Sequence, residues 1–251
     1  MQELMSNLFF FGVGGVVSAD IAVPNHPDEL AFYAQVLTTG SEPHWQEDLM
    51  NAQGTPIIGL GERSAEWDML PLQWMPHIQV EDVAESVAKA IELGGTELVH
   101  GRDDDGNSLW AGISDPQGAA FGVIPVVTAN DEDYAGTTST GHIAELSLFS
   151  SAPQESAEFY AAVIGLAAQP DSDGERIQLL SYGVWAASVE PARADDETRP
   201  SVWTLWLTVG DLRESLVRLQ EGGGAVVGGG ADSGRAVVED PLGIAFGLLA
   251  R

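Results

Sequence analysis

Cysteine is absent from the 251 residues. That excludes disulfide frameworks, zinc–thiolate sites and cysteine nucleophiles, and it suits a cytoplasmic home. Bases are almost as scarce: ten Lys and Arg stand against thirty-eight Asp and Glu, a formal charge of −28, and Lys89 is the sole lysine. A surface so acidic repels phosphate backbones and anionic lipid, so neither nucleic acid nor membrane is an expected partner. Two explanations of the acidity stay open: the ordinary composition of an acidic soluble protein from a GC-rich genome, or adaptation to a salty cytoplasm in which cations screen self-repulsion. Long apolar runs are missing too. Leu8 to Val17 is broken by Gly12, Gly14 and Gly15, is far shorter than the roughly 20 residues that span a bilayer, and follows Glu3 rather than the basic residues of a signal peptide. It reads as the approach to a first strand.

Several motifs are absent as well. Gly12-Val13-Gly14-Gly15 lacks the third glycine of a dinucleotide fingerprint and precedes a strand instead of following one. Gly222 to Gly230 has no Gly-Lys-Ser/Thr, so it is no phosphate loop. No Gly-x-Ser-x-Gly nucleophile elbow occurs.

What is present is a phrase used twice. Asp115-Pro116-Gln117-Gly118, followed by Ala119 to Ile124, recurs as Asp240-Pro241-Leu242-Gly243, followed by Ile244 to Leu249. Asp-Pro-x-Gly is turn chemistry: proline fixes φ and glycine accepts a positive φ. The apolar run behind it reads as a buried strand. Other features repeat at nearly the same offset. Tyr33 and Tyr160, Asp82 and Asp211, and Asp115 and Asp240 are 125 to 129 positions apart. That is the mark of a duplication.

Within each half a strand-to-helix order occurs twice. Val17, Ala19, Ile21 and Val23 alternate with Ser18, Asp20 and Ala22 as in a half-buried strand. Pro27, Asp28 and Glu29 then open a helix with Leu30, Tyr33 and Leu37 on one face. His44 to Met50 and Pro56 to Leu60 are strand-like around a turn at Asn51 to Gly54, and Gly61 to Leu72 is a connector. From Trp74, Met75, His77 and Gln79 alternate with Pro76, Ile78 and Val80. Asp82 and Glu85 have capping-box spacing, Val83, Val87 and Ile91 form the apolar stripe, and Gly94-Gly95 stops the helix. Thr96 to Val99 and Leu109 to Ser114 are strands flanking an acidic loop. After the polar stretch Thr128 to Thr140 the order restarts. Glu145, Ser147 and Phe149 share a strand face, Ser151 and Gln154 make a capping box, and Phe159-Tyr160 repeats Phe32-Tyr33. Arg176 to Leu180 pairs with Val184 to Val189, and Pro191 to Pro200 connects. Trp203 to Val209 is a strand, and Asp211 with Glu214 caps a helix bearing Leu212, Leu216 and Leu219. The expected class is α+β, with four βαβββ modules in two tandem domains, 1–127 and 141–251, joined by a linker at 128–140.

This order resembles the vicinal oxygen chelate superfamily, the glyoxalase/bleomycin-resistance/dioxygenase fold. The likeness rests on Phe32-Tyr33 and Phe159-Tyr160, on Val80-Glu81-Asp82-Val83 with Gly94-Gly95, and on the two Asp-Pro-x-Gly strands, and it covers the chain from Val17 onward. It is similar above all to tandem glyoxalase-like proteins. The resemblance implies curved mixed sheets around concave pockets. In metal-using members it implies a His, Glu or Gln near the start of each first strand and a Glu on the last strand, holding a divalent ion that polarises substrate oxygens. Here the matching positions are Ser18, Met75, Glu145 and Thr204, then Gly59, Gly122, Ser188 and Gly247. Glycine offers no side-chain oxygen, so only Glu145 could ligate strongly. No cofactor is therefore expected, although a divalent metal is conceivable at a displaced site using His77 with Asp20, or at Glu145. The alternative for His77 is a pocket-lining or hydrogen-bonded histidine, and for Glu145 a hydrogen-bonded pocket acid instead of a general base. His142 lies on the opposite strand face from Glu145 and is not paired with it.

The candidate pocket set is Asp20, Met75, His77, Gln79, Ser147, Phe149, Thr204 and Trp206, with Glu145 the candidate catalytic residue. The expected function is binding of a small organic molecule, a drug-like cation among the candidates. The rival readings are a lyase, isomerase or dioxygenase with a rearranged metal site, and a structural or dimerising unit. The chain is expected as a monomer of two pseudo-symmetric domains or as a homodimer.

Overall fold

The computed structural model describes residues 10–38, 58–127, 143–192 and 201–250. The strand expected over His44–Met50, its following turn, His142, the linker from 128 to 140, and most of the Pro191–Pro200 connector lie outside the described residues. Four repeats of one module are visible. The first has β1 (Val16–Val23), α1 (His26–Leu37) and β2 (Ile58–Glu62); the second has β3 (Met75–Val80), α2 (Val83–Glu92), β4 (Thr96–Arg102), β5 (Ser108–Ser114) and β6 (Ala120–Pro125). The third has β7 (Ile143–Ser150), α3 (Pro153–Tyr160), β8 (Ala167–Pro170), β9 (Ile177–Ser181) and β10 (Val184–Pro191). The fourth has β11 (Val202–Val209), α4 (Leu212–Glu221), β12 (Ala225–Gly230), β13 (Arg235–Glu239) and β14 (Ala245–Ala250).

In every module the first strand pairs in parallel with the last, and in modules two to four the strands between are antiparallel, so the sheets are mixed. This topology gives an α+β class, with helices returning the chain between strands of one sheet.

The compact units do not follow the halves of the sequence. Among the described residues, one unit gathers 10–17, 75–127, 146–192 and 201–203; the other gathers 18–38, 58–74, 143–145 and 204–250. The second module thus packs with the third, and the first with the fourth. Each unit is held by the residues that betray the duplication. In the unit of modules two and three, the Asp115 carboxylate accepts from the backbone N–H of Gln117 and Ala119 at 2.9 and 2.8 Å, closing its turn. Its second oxygen accepts from the Tyr160 hydroxyl at 3.1 Å, and Trp203 Nε1 donates to that hydroxyl at 3.0 Å. In the other unit Asp240 takes Leu242 N, Ile244 N and the Tyr33 hydroxyl at 2.9, 2.8 and 2.8 Å, and Trp74 Nε1 donates to Tyr33. The rings beside these bonds also match: Phe121 meets Tyr160 and Phe246 meets Tyr33, both about 5 Å apart. Phe159 lies against Gly95, and Phe32 against Gly222 and Gly224, so the glycines that stop α2 and α4 also admit an aromatic ring at close approach.

The local expectations largely hold. Asp82 and Asp211 each accept from the N–H three residues on, at 2.9 Å. The Ser151–Gln154 box does not form. α3 begins after Ala152, whose N–H donates to Ser150, and Ser150 bonds Ser156 in turn. The helical stripes are also shifted. Ile91 is 52% exposed while Ala90 is buried, and α1 buries Glu29, Phe32, Tyr33, Val36 and Leu37 rather than Leu30.

Candidate functional site

Parallel pairing of first and last strands sets which residues meet across each module floor. The partners are Asp20 with Gly59, His77 with Gly122, Ser147 with Ser188, and Trp206 with Gly247. The positions matched to the family's ligands on the first strands, Ser18, Met75, Glu145 and Thr204, lie two residues earlier on the same strand faces.

Three of the four floors are built alike: a functional side chain lies on a glycine. A Cβ at Gly122 would stand 2.6 Å from His77 Cδ2, one at Gly59 would overlap the Asp20 carboxylate, and one at Gly247 would overlap the Trp206 ring at Cδ2 and Cε3. Glycine is required there because the facing side chain fills the space in which another residue's Cβ would sit. The fourth floor has serines. Ser147 and Ser188 are 3.1 Å apart, and both donate to Glu190 Oε1, at 2.8 and 3.1 Å.

In the unit containing Trp206, β13 carries Arg235 beside Leu249 of β14, on the face that Trp206 shares with Gly247. The guanidinium carbon sits 3.8 Å from the centre of the Trp206 ring, a stacked cation–π geometry. Its Nη2 donates to Glu145 Oε2 at 3.1 Å. Glu145 is thus an ion-paired acid, matched by a base that sequence reasoning passed over. One step from Trp206 on the same face, Thr204 Oγ1 is buried with no hydrogen-bond partner among the described residues.

The other expected residues fall apart by role. Gln79 is fully buried and its amide is engaged: Nε2 donates to Phe10 O, and Oε1 accepts from Val127 N and Gly12 N. It ties the N-terminal approach to the end of β6. Met75 is buried, Phe149 and His77 are half-buried, and Asp20 is exposed.

The donor set does not fit the metal that the fold family implies. Where a last-strand carboxylate would be needed stand Gly59, Gly122 and Gly247, with their Cβ space taken, and Ser188, which is turned to Glu190. Among the described residues no group of three or more His, Asp or Glu is placed to hold an ion. Substituting Gly247 tests the packing directly. Gly247→Ala forces the indole off the strand, with an expected loss of about 1–3 kcal/mol in urea unfolding and a changed near-ultraviolet tryptophan dichroism. An unchanged spectrum would show that the ring does not need the glycine.

Doubled βαβββ modules with paired first and last strands define a glyoxalase-type scaffold. A family model described as a glyoxalase-like domain matches residues 17–124 and again 146–249, and the chain belongs to that family, within the vicinal oxygen chelate superfamily. The protein named "Putative glyoxylase CFP32", from Mycobacterium bovis and from Mycobacterium tuberculosis, is 28% identical over 212 residues, covering 80% of this chain and 77% of the relative. Among solved structures, the Mn(II)-bound glyoxalase from Novosphingobium aromaticivorans superposes with a TM-score of 0.55 at 17% identity, covering 94% of this chain and 81% of that one. A variant of 4-hydroxymandelate synthase from Streptomyces coelicolor gives 0.52 at 13%, covering 94% and 92%. At these identities the structures share the fold.

Proposed function

We propose that the protein binds a small organic molecule in one or both of its compact units, on the strand faces that carry Asp20 and Trp206 in one and His77 and Ser147 in the other, without a metal at the family's usual position. The observation that supports this most is the trio of glycines under Asp20, His77 and Trp206. The positions that grip an ion in metal-using relatives have become seats for other side chains, and a ring and a guanidinium line one of them. Membership of a superfamily whose scaffold serves small ligands supports the same reading, as does a net charge of −28, which disfavours nucleic acid. No described helix is long and apolar enough to cross a membrane. A cytoplasmic location and a monomeric or homodimeric state belong to the proposal.

The test pairs metal analysis with a ligand screen. Protein purified without chelator should carry well under one equivalent of Mn, Fe, Ni or Zn, and metal salts should leave its melting temperature unmoved while small organic ligands raise it. Stoichiometric metal that is lost on Glu145→Ala would favour the enzymic reading instead.

A further inference from the structure

We propose that Arg235 is the anchor for the carboxylate of a small organic acid, one that carries a second oxygen for Thr204. This rests on the small-molecule reading above and names the class of ligand. Three observations point the same way.

First, the guanidinium is presented, not merely present. Contact at 3.8 Å over the Trp206 ring and the bond to Glu145 restrain the guanidinium from two sides, and a restrained planar fork suits a carboxylate received through two parallel bonds. Second, its donors are mostly open. Of the five N–H groups that arginine carries, one bond is made among the described residues, to Glu145, and the side chain remains 37% exposed. Third, the Thr204 hydroxyl is buried, lies two residues from Trp206 on the same strand face and has no partner among the described residues. A buried hydroxyl without a partner is costly, and a ligand oxygen would satisfy it.

Glu145 then has a definite part. It is the internal carboxylate that holds the guanidinium when no ligand is bound, and its negative charge opposes a ligand carboxylate at the same guanidinium. A cation-binding site would use Glu145 directly; here its charge is already matched. Positive charge on this floor comes from an arginine instead of an ion, and that arrangement accounts for glycine at 247, since the indole that supports Arg235 must lie flat.

Ligand-observed NMR on the full chain, at high salt to screen the net negative charge, tests this. The probes are acetate, lactate and benzoate, their three amides, and benzylammonium. The acids should bind and the amides should bind at least tenfold more weakly. Arg235→Gln should cost the acids tenfold or more, with Arg235→Lys between, because lysine keeps charge but not the planar fork. Glu145→Gln should tighten the acids several-fold, an effect that misfolding cannot mimic. Thr204→Val should weaken lactate and leave acetate alone. Acids that bind wild type and Arg235→Gln equally, or that weaken on Glu145→Gln, would overturn the anchor. If amides or benzylammonium bind and acids do not, the anchor fails while the small-molecule reading stands. If no probe binds, both fail.

Discussion

Asp115→Ala should destabilise the unit of modules two and three by about 3–5 kcal/mol, a large share of the roughly 5–15 kcal/mol that holds a typical domain together. One buried carboxylate closes the turn after β5 through Gln117 and Ala119 and receives the Tyr160 hydroxyl that begins the next module's contact. Removing it leaves two N–H groups and a phenol, all buried or nearly so, without their acceptor. Burial raises the carboxyl's pKa, and the hydrogen bonds from Ala119, Tyr160 and Gln117 oppose that rise. The Tyr160 phenol is pushed well above its usual value by burial first and the Asp115 charge second, so it stays a donor at any physiological pH. Tyr160→Phe should cost less, about 1–2 kcal/mol, because the turn survives and only Trp203 Nε1 and one carboxylate oxygen lose a partner. Asp115→Asn should fall between them. Urea unfolding gives the totals, and hydrogen exchange locates them: protection should fall across residues 75–127 and 146–203. If it falls evenly over residues 18–38 and 204–250 as well, the two units do not respond separately and this account of Asp115 is wrong.

The features that made the duplication legible turn out to be the ones that join modules. Tyr33 and Tyr160, Asp115 and Asp240 are visible in sequence because a helix tyrosine and a turn aspartate must be kept together, each bonding its partner from the other half. Which half supplied the partner was not legible, since an offset near 127 positions is the same whichever way modules pair. Helix caps at Asp82 and Asp211 were readable because a cap is a three-residue event. Ser151 failed because Ser150, one residue earlier, engages Ala152 and Ser156. The strands β8, β12 and β13 went unseen for another reason. Ala225–Gly230 holds three glycines and reads as a loop by propensity, yet β13 pairs with it along its length, with one bulge at Val227. Tertiary pairing overrides weak strand preference.

Of the candidate site, the strand positions were readable and the pairing across strands was not. Period-two alternation groups each of Asp20, His77, Ser147 and Trp206 with the position two residues before it, but the register against the last strand is a long-range fact, and it sets Gly59, Gly122, Ser188 and Gly247 opposite these residues instead of opposite Ser18, Met75, Glu145 and Thr204. Arg235 was missed because its strand was. Its signal was scarcity: in a chain with ten basic residues, a base directly before the apolar run Ala236–Val238 is worth asking about.

Stability should fall as pH rises from about 4.5 to about 7, and Glu29→Gln should remove much of that fall. α1 turns Glu29 inward at 3% exposure, four residues before Tyr33, where the third module has Ser156. Burial, then the charge of Asp240 and a hydrogen bond with it, then the charge of Asp28, raise the Glu29 pKa from 4.5 to about 7. The carboxyl is therefore held as an acid beside the Asp240 carboxylate, whose own pKa is also raised, by burial foremost. The folded state binds this proton more tightly than the unfolded chain does. Below about 4.5 both states carry it and it has no effect on stability. Between 4.5 and 7 the unfolded chain releases it while the folded state keeps it, so stability declines, and above 7 the full penalty of a buried second charge remains. The penalty is on the order of 1–3 kcal/mol once solvent screening is allowed for. Other carboxylates titrate in the same range, so the informative quantity is the difference between wild type and Glu29→Gln. That difference should be near zero at pH 4 and should favour the variant by about 1–3 kcal/mol at pH 8, read from urea midpoints. Glu29→Ser, which copies the third module, should follow the same curve with a smaller gain because it leaves a void. A difference that stays flat from pH 4 to pH 8 would mean that Glu29 ionises freely in the folded protein, and that its place beside Asp240 is no proton-sharing pair.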